Sequence, residues 1–194
     1  MYTAISFQYL GMLKTKVKVS KVTNLSEARY CAGMGVDFLS FPVSSVDPKT
    51  YQEITGWVAG PLFGVEIDSN PDDQYKADFF EVSFESIDKI PQEKQAFVHL
   101  SVNEWFEKKS KLIAHKEKIR AIELTVHSID DAKKIVDEVS NQFDVFLKFH
   151  HSFDIDTILK LPITGISLEG NTETKPGLKE YPLSEILEQL EMEG

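Results

Sequence analysis

Eight short apolar runs recur along this chain at intervals of about 20 residues: 16–22, 37–41, 62–67, 78–83, 96–102, 120–126, 144–149 and 163–168. Each is strand-length, and polar or helix-patterned segments separate them, the alternation expected of an α/β barrel. The first unit is the clearest. A β-branched run (Val17, Val19, Val22) ends at Thr23-Asn24, whose side-chain oxygens can cap a helix carrying Leu25, Ala28 and Ala32 on one side. Gly33 or Gly35 ends that helix, and Val36 to Phe41 starts a second strand. Such a βαβ unit predicts parallel strands and a right-handed crossover.

Convincing helices follow the first, second, fifth and sixth runs. Ser128 and Asp131 make a capping-box-like start, and Ile129, Ala132, Ile135, Val136 and Val139 form a 3.6-period stripe. A last helix is expected from Pro182 through Leu183, Ile186, Leu187 and Leu190. The segments 68–76 and 84–94 each contain a proline and are too short for full helices. The reading is a small single-domain (β/α)₈ TIM barrel over 16–194, with one or two helices reduced to loops and an N-terminal extension over 1–15. The same pattern fits an open doubly wound sheet, the alternative architecture. Met12 is a candidate native start, because the pattern begins just after it.

A formal net charge of −10 argues against nucleic acid and anionic membranes as partners, since binding phosphate needs clustered cations. Lys108, Lys109 and Lys111 form the one basic cluster, diluted by Glu104 and Glu107, and read as a solvated helix face. No apolar run reaches the roughly 18–20 residues of a membrane span, and 1–13 has no signal-peptide pattern. The single cysteine, Cys31, suits a cytoplasmic protein and reads as a buried structural thiol. There is no Gly-x-Gly-x-x-Gly or P-loop, so no cofactor is expected; Trp57, Trp105 and the thirteen phenylalanines are assigned to helix–barrel packing. A small-molecule ligand, bound by a monomer or homodimer, fits this composition.

The first strand, Lys18-Val-Ser20-Lys21-Val-Thr23-Asn24-Leu25, resembles the opening of phosphoribosylanthranilate isomerase, a (β/α)₈ enzyme of tryptophan biosynthesis whose strand reads Lys-x-Cys-Gly-x-Thr-Asn-Leu. Pro61-Leu-Phe-Gly-Val-Glu-Ile-Asp68 is similar to that family's third strand. Gly165-Ile-Ser-Leu-Glu-Gly170 and Thr172-Glu-Thr-Lys-Pro-Gly177 are similar to its last strand and following loop. The resemblance implies the barrel, an isomerase ancestry and a list of positions. The family's general base, a cysteine, is replaced by Ser20 and the adjacent glycine by Lys21. Its general acid, an aspartate ending strand six, falls at Thr125. Its strand-four histidine falls at Ser83, and Phe41-Pro-Val-Ser-Ser-Val-Asp-Pro48 lacks its substrate-binding arginine. Its Gly-Gly after strand seven becomes His150-His151, and its Ser-Ser-Gly phosphate loop becomes Leu168-Glu169-Gly170, keeping only Gly170. These replacements predict an isomerase-like barrel without the family's activity; the alternative is an active, diverged isomerase or lyase at the C-terminal mouth.

Barrel strands covered on both faces should be apolar throughout. Here Lys18, Glu66, Glu81, His99, Glu123 and Lys148 interrupt them. Lys18 and Ser20 share one parity, inward by the family's pattern, so a mixed carboxylate–cation network is expected in the lumen. It is expected to include structural pairs such as Glu123 with Lys148. The ligand-pocket candidates are Lys18, Ser83, Glu123, Lys148, His150, Glu169 and Gly170, with Ser20 and Thr125 at the catalytic positions. Lys148 is also a candidate Schiff-base lysine. No metal site is expected: adjacent histidines at an extended strand end, His150 and His151, would point apart.

Overall fold

A computed structural model describes residues 12–68, 72–170, 173–175, 178–179 and 183–192. Eight parallel strands close into a barrel in sequential order: β1 (Lys16–Ser20), β2 (Phe38–Pro42), β3 (Leu62–Glu66), β4 (Phe79–Ser83), β5 (Ala96–Ser101), β6 (Ile119–Thr125), β7 (Val145–Lys148) and β8 (Gly165–Glu169). β1 pairs with β8 over five positions, from Lys16 opposite Gly165 to Ser20 opposite Glu169. Closure excludes the open sheet. Every apolar run of the sequence overlaps one strand, with ends differing by no more than two residues.

Outside the barrel lie α1 (Leu25–Gly33), α2 (Pro48–Thr55), α3 (Val102–Ala114), α4 (Ile129–Ser140), α5 (Ile155–Ile158) and α6 (Leu183–Leu190). Local chemistry starts them. Asn24 caps α1 by accepting from the Glu27 N–H at 2.9 Å, and Ser101 and Glu104 close a reciprocal capping box on α3. Ser128 accepts from the Asp131 N–H at 3.1 Å to start α4. Among the described residues after β3 and β4 the chain makes only 3-10 turns, 73–75 and 84–89, as expected for segments too short for full helices. A short hairpin, β9 (Glu173–Lys175) and β10 (Leu178–Lys179), follows β8. Pro176 and Gly177 of the Lys-Pro-Gly sequence, and Pro182, lie outside the described residues. Residues 12–14 are tied to the end of α6: the Lys14 N–H donates to the Leu190 carbonyl at 2.8 Å.

Two apolar cores result. The larger lies between strands and helices and holds Cys31 and Trp105, both fully buried. Trp57 departs from expectation. It lies past the end of α2, is 70% exposed, and edges a surface groove rather than packing on the barrel; Phe106 is also exposed. The smaller core, Phe38, Phe79, Phe97, Phe146 and Ala121, fills the N-terminal third of the lumen. Its rings meet edge to face, with centroids 5.1–5.8 Å apart.

Neighbouring strands make room for these rings. A Cβ at Gly64 would sit 2.3 Å from the ring of Phe79, its partner on β4, and one at Gly165 would sit 2.4 Å from the Lys16 carbonyl and 2.5 Å from Phe146. The Lys16 contact is with backbone, which cannot rotate away. Gly165→Ala should therefore cost about 1–3 kcal/mol through overpacking, read as a lower urea midpoint; an unchanged midpoint would show that the barrel relaxes freely here.

Candidate active site

Above the phenylalanine layer the lumen turns polar. Lys18 of β1, fully buried, extends its ammonium into the barrel axis between Glu81 of β4 and Glu123 of β6. Its Nζ lies 3.0 Å from Glu81 Oε2 and donates to Glu123 Oε2, to Ser20 Oγ at 2.6 Å and to Ser167 Oγ at 3.2 Å. Three hydroxyls complete the carboxylate shells. Ser20 donates to Glu81 Oε1 at 2.9 Å, Ser40 to Glu81 Oε2, and Ser167 to Glu123 Oε2.

His99 of β5 closes the circuit from the other side. Its Nε2 lies 2.9 Å from Glu81 Oε1 and its Nδ1 2.9 Å from Glu123 Oε1. Carboxylate oxygens offer only lone pairs, so both ring nitrogens must carry hydrogens and the ring is an imidazolium. Burial opposes that charge, but hydrogen bonds and attraction from Glu123 and Glu81 outweigh it and raise the His99 pKa to about 9. Burial likewise opposes charge on Glu81 and Glu123, and Lys18 and His99 overcome it, lowering both carboxyls. Lys18 is raised despite complete burial, by the same two carboxylates. The four groups are thus an electroneutral cluster. Glu81, His99 and Glu123 lie close enough together to share an ion. However, the ring spends both nitrogens on the carboxylates and Lys18 holds their other oxygens, so in this arrangement His99 offers an ion no lone pair.

A second chain of charges runs around the C-terminal rim. Lys148 Nζ lies 2.7 Å and Lys21 Nζ 2.9 Å from Glu169 Oε1. Burial opposes ionisation of Glu169, but the two lysines hold its carboxyl low. Lys148 is raised against its own burial, chiefly by Glu169, which keeps it an ammonium and unsuited to Schiff-base chemistry. Lys21 is in the left-handed region, φ 59°, where the resembled family has glycine. That turn aims its N–H at Glu66 Oε1, 2.6 Å away on β3. Glu66 is pushed up to about 7, first by burial and then by the Glu81 charge, with the Lys21 N–H and both lysine charges opposing.

The expected pair of Glu123 with Lys148 does not form. Lys148 stands opposite Ser167 and Glu123 opposite Phe146, so the lysine sits two residues nearer the mouth and meets Glu169 instead. Thr125 lies two residues beyond Glu123, level with Ser101 and apart from the cluster. Ser83 is exposed at the end of β4. His150 is an exposed loop residue, its Nδ1 2.8 Å from Ser152 Oγ. The rings of His150 and His151 do not point apart but lie 4.0 Å centroid to centroid, because the chain has left β7 and entered a turn. Gly170 donates its N–H to the Ser20 carbonyl at 2.7 Å, and a Cβ there would meet the Glu27 carboxylate at 2.9 Å. Glu66, Glu81 and His99 stood out as polar interruptions of apolar strands, but nothing in the sequence showed that His99 would bridge two carboxylates or that Lys21 would reach Glu66.

Removing the cation leaves two buried carboxylates with one counter-charge. Lys18→Met should cost about 3–5 kcal/mol in urea unfolding at pH 7, with the loss shrinking as acid protonates a carboxylate; a loss under 1 kcal/mol would show the network to be energetically idle. Glu66 gives a prediction of opposite sign. A carboxyl raised from 4.5 to about 7 contributes most stability below its unfolded pKa, and that contribution is lost as pH rises through about 7. Glu66→Gln should therefore stabilise the protein by on the order of 1–3 kcal/mol at pH 8 and have little effect below pH 4.5; equal effects at both pH values would contradict the shift.

No family model matches the sequence, and no curated protein matches it. Solved structures do. A phosphoribosylanthranilate isomerase from Thermus thermophilus superposes with TM-score 0.67 at 15% identity, covering 90% of this chain and 96% of that one. The enzyme from Pyrococcus furiosus gives 0.64 at 14%, covering 91% and 96%. A phosphoribosylanthranilate isomerase bound to reduced 1-(o-carboxyphenylamino)-1-deoxyribulose 5-phosphate gives 0.66 at 14%, covering 86% and 92%. At such identities the likeness is one of architecture, and the architecture is a phosphoribosylanthranilate isomerase-like (β/α)₈ barrel.

Proposed function

We propose that this chain is a phosphoribosylanthranilate isomerase-like barrel without that isomerase activity, a relative that keeps the scaffold to bind a small molecule. The observation that carries this reading is the Lys21–Glu169–Lys148 rim. A phosphorylated substrate arriving at the last two strands would have to break two ion pairs that an internal carboxylate already makes. The resembled family's proton-transfer positions point the same way. Ser20 stands for the base, and its neighbour Glu81 is a carboxylate of lowered pKa, a poor acceptor for a hydroxyl proton. Thr125 stands for the acid and has no proton acidic enough to give.

One observation favours the alternative, a diverged isomerase or lyase at the same mouth. Glu66, near 7, is partly protonated at neutral pH, as a general acid–base group should be. The two readings separate experimentally. Purified protein given phosphoribosylanthranilate should show no turnover, and the gene should not restore growth to a tryptophan auxotroph lacking the isomerase; restored growth would overturn the proposal. A thermal-shift panel of sugar phosphates, anthranilate derivatives and carboxylates then tests for a ligand, since one at about 100 times its Kd adds about 2.7 kcal/mol. Turnover of a hit that Glu66→Gln abolishes while binding persists would establish the alternative.

A further inference from the structure

The N-terminal end of the barrel, remote from the mouth, carries a feature that barrel closure does not require. Between β5 and β6 the register slips: Ala96 faces Ile119, but Phe97 faces Ala121, leaving Arg120 as an extra, bulged residue. On an unbroken β6, Arg120 would share the outward parity of Ile122 and Leu124, opposite to Ala121 and Glu123. A bulge re-aims its side chain. The guanidinium carbon of Arg120 lies 5.0 Å from the ring centroid of Phe38 on β2, four strands away in a barrel of eight. The side chain therefore crosses beneath the lumen.

There it lines a cavity of about 310 Å³ together with Lys16 and Asp144, over Phe38, Phe97 and Phe146. Asp144 is engaged, accepting from Thr164 Oγ1 at 3.1 Å. Among the described residues the Arg120 guanidinium donates no hydrogen bond, and neither it nor Lys16 has a carboxylate partner. The five N–H donors of this half-buried arginine are thus left open within the protein. A guanidinium resting on an aromatic ring can still present its N–H edge, whose fork matches a carboxylate or phosphate. The dry aromatic layer beneath strengthens any such contact by lowering the local dielectric. Two cations against one carboxylate make the pocket locally positive on a chain of net charge −10.

We propose that this end of the barrel binds a small oxyanion, anchored by Arg120 with Lys16 as second cation. The site is independent of the function assigned to the mouth. The sequence supplies the probe: its two arginines, Arg29 and Arg120, give two Nε–H signals in a nitrogen-15 NMR spectrum, one at the site and one remote from it. Titration with inorganic phosphate and, separately, with benzoate should shift the Arg120 signal saturably and leave Arg29 still. Saturation by phosphate alone assigns a phosphoryl ligand, and by benzoate alone a carboxylate lying on the phenylalanines. Arg120→Met should weaken binding about 10- to 100-fold, while Lys148→Met at the mouth should leave it unchanged. Should Arg120→Met not fold, Arg29→Lys assigns the two signals by elimination and the wild-type titration still decides. Signals that move together, no saturable shift with either anion, or a titration abolished by Lys148→Met would overturn the site.

Discussion

The ammonium of Lys18, held between Glu81 and Glu123, is the interaction on which the rest of the lumen depends. It joins β1 to β4 and β6 across the barrel axis, so three strands far apart around the wall converge on one atom. Burying an ion costs several kcal/mol even after relaxation, and two carboxylates around one ammonium would leave a net buried charge. The imidazolium of His99 removes it. The hydroxyls of Ser20, Ser40 and Ser167 then give three of the four carboxylate oxygens a further donor. Such a cluster favours one register over its neighbours, because a one-residue slip of any contributing strand would turn its charge into the apolar layer outside.

Neutrality also limits the chemistry. A lysine held protonated by two carboxylates is no nucleophile, and an imidazolium with both N–H groups spent has no lone pair for a proton or a metal. Glu81 and Glu123, with lowered pKa values, are weak bases at neutral pH. The polar lumen resembles an active site in composition yet is occupied with itself. Glu66 differs because it feels the cluster through charge alone, raised by Glu81 and partly offset by Lys18, and accepts a single backbone N–H from a strained turn. Left-handed backbone at a residue other than glycine persists where the surroundings hold it; here the Lys21 side chain is held by Glu169 and its N–H by Glu66. The same residue thus fixes both carboxylates of the rim.

The barrel was legible because period-two apolar runs, helix caps and prolines are local signals, and each strand could be placed to within two residues. Parity put Lys18 and Ser20 on one face, and the resembled family's pattern turned that face inward. The pairing was less legible, because it depends on how far each strand is staggered against the next. Glu123 and Lys148 lie on adjacent strands and looked like partners, but the stagger lifts Lys148 to the level of Glu169. His150 looked like a site residue because it follows β7 where the resembled family binds phosphate; a turn beginning just past it takes it to the surface. Trp57 looked like core by residue type, which carries no information about a position beyond a helix end. The bulge at Arg120 has no sequence signature, since Ile119-Arg120-Ala121 reads as ordinary strand until its partner's register is known.

The two ends of the lumen follow from one arrangement of layers. Phenylalanines fill the N-terminal third, with Gly64 and Gly165 making room for their rings, and they insulate the charged cluster from water entering below. A group placed beneath that layer is cut off from the cluster's carboxylates, so a cation there cannot be neutralised from above. Arg120 is in that position, thrown under the barrel by the bulge with only a ring to rest on. At the opposite end Lys21 and Lys148 lie above the cluster and within reach of Glu169. Cations at the mouth therefore carry their own counter-ion, and among the described residues Arg120 and Lys16 at the base have no carboxylate partner. That contrast is why the proposed oxyanion site lies at the N-terminal end and not at the mouth.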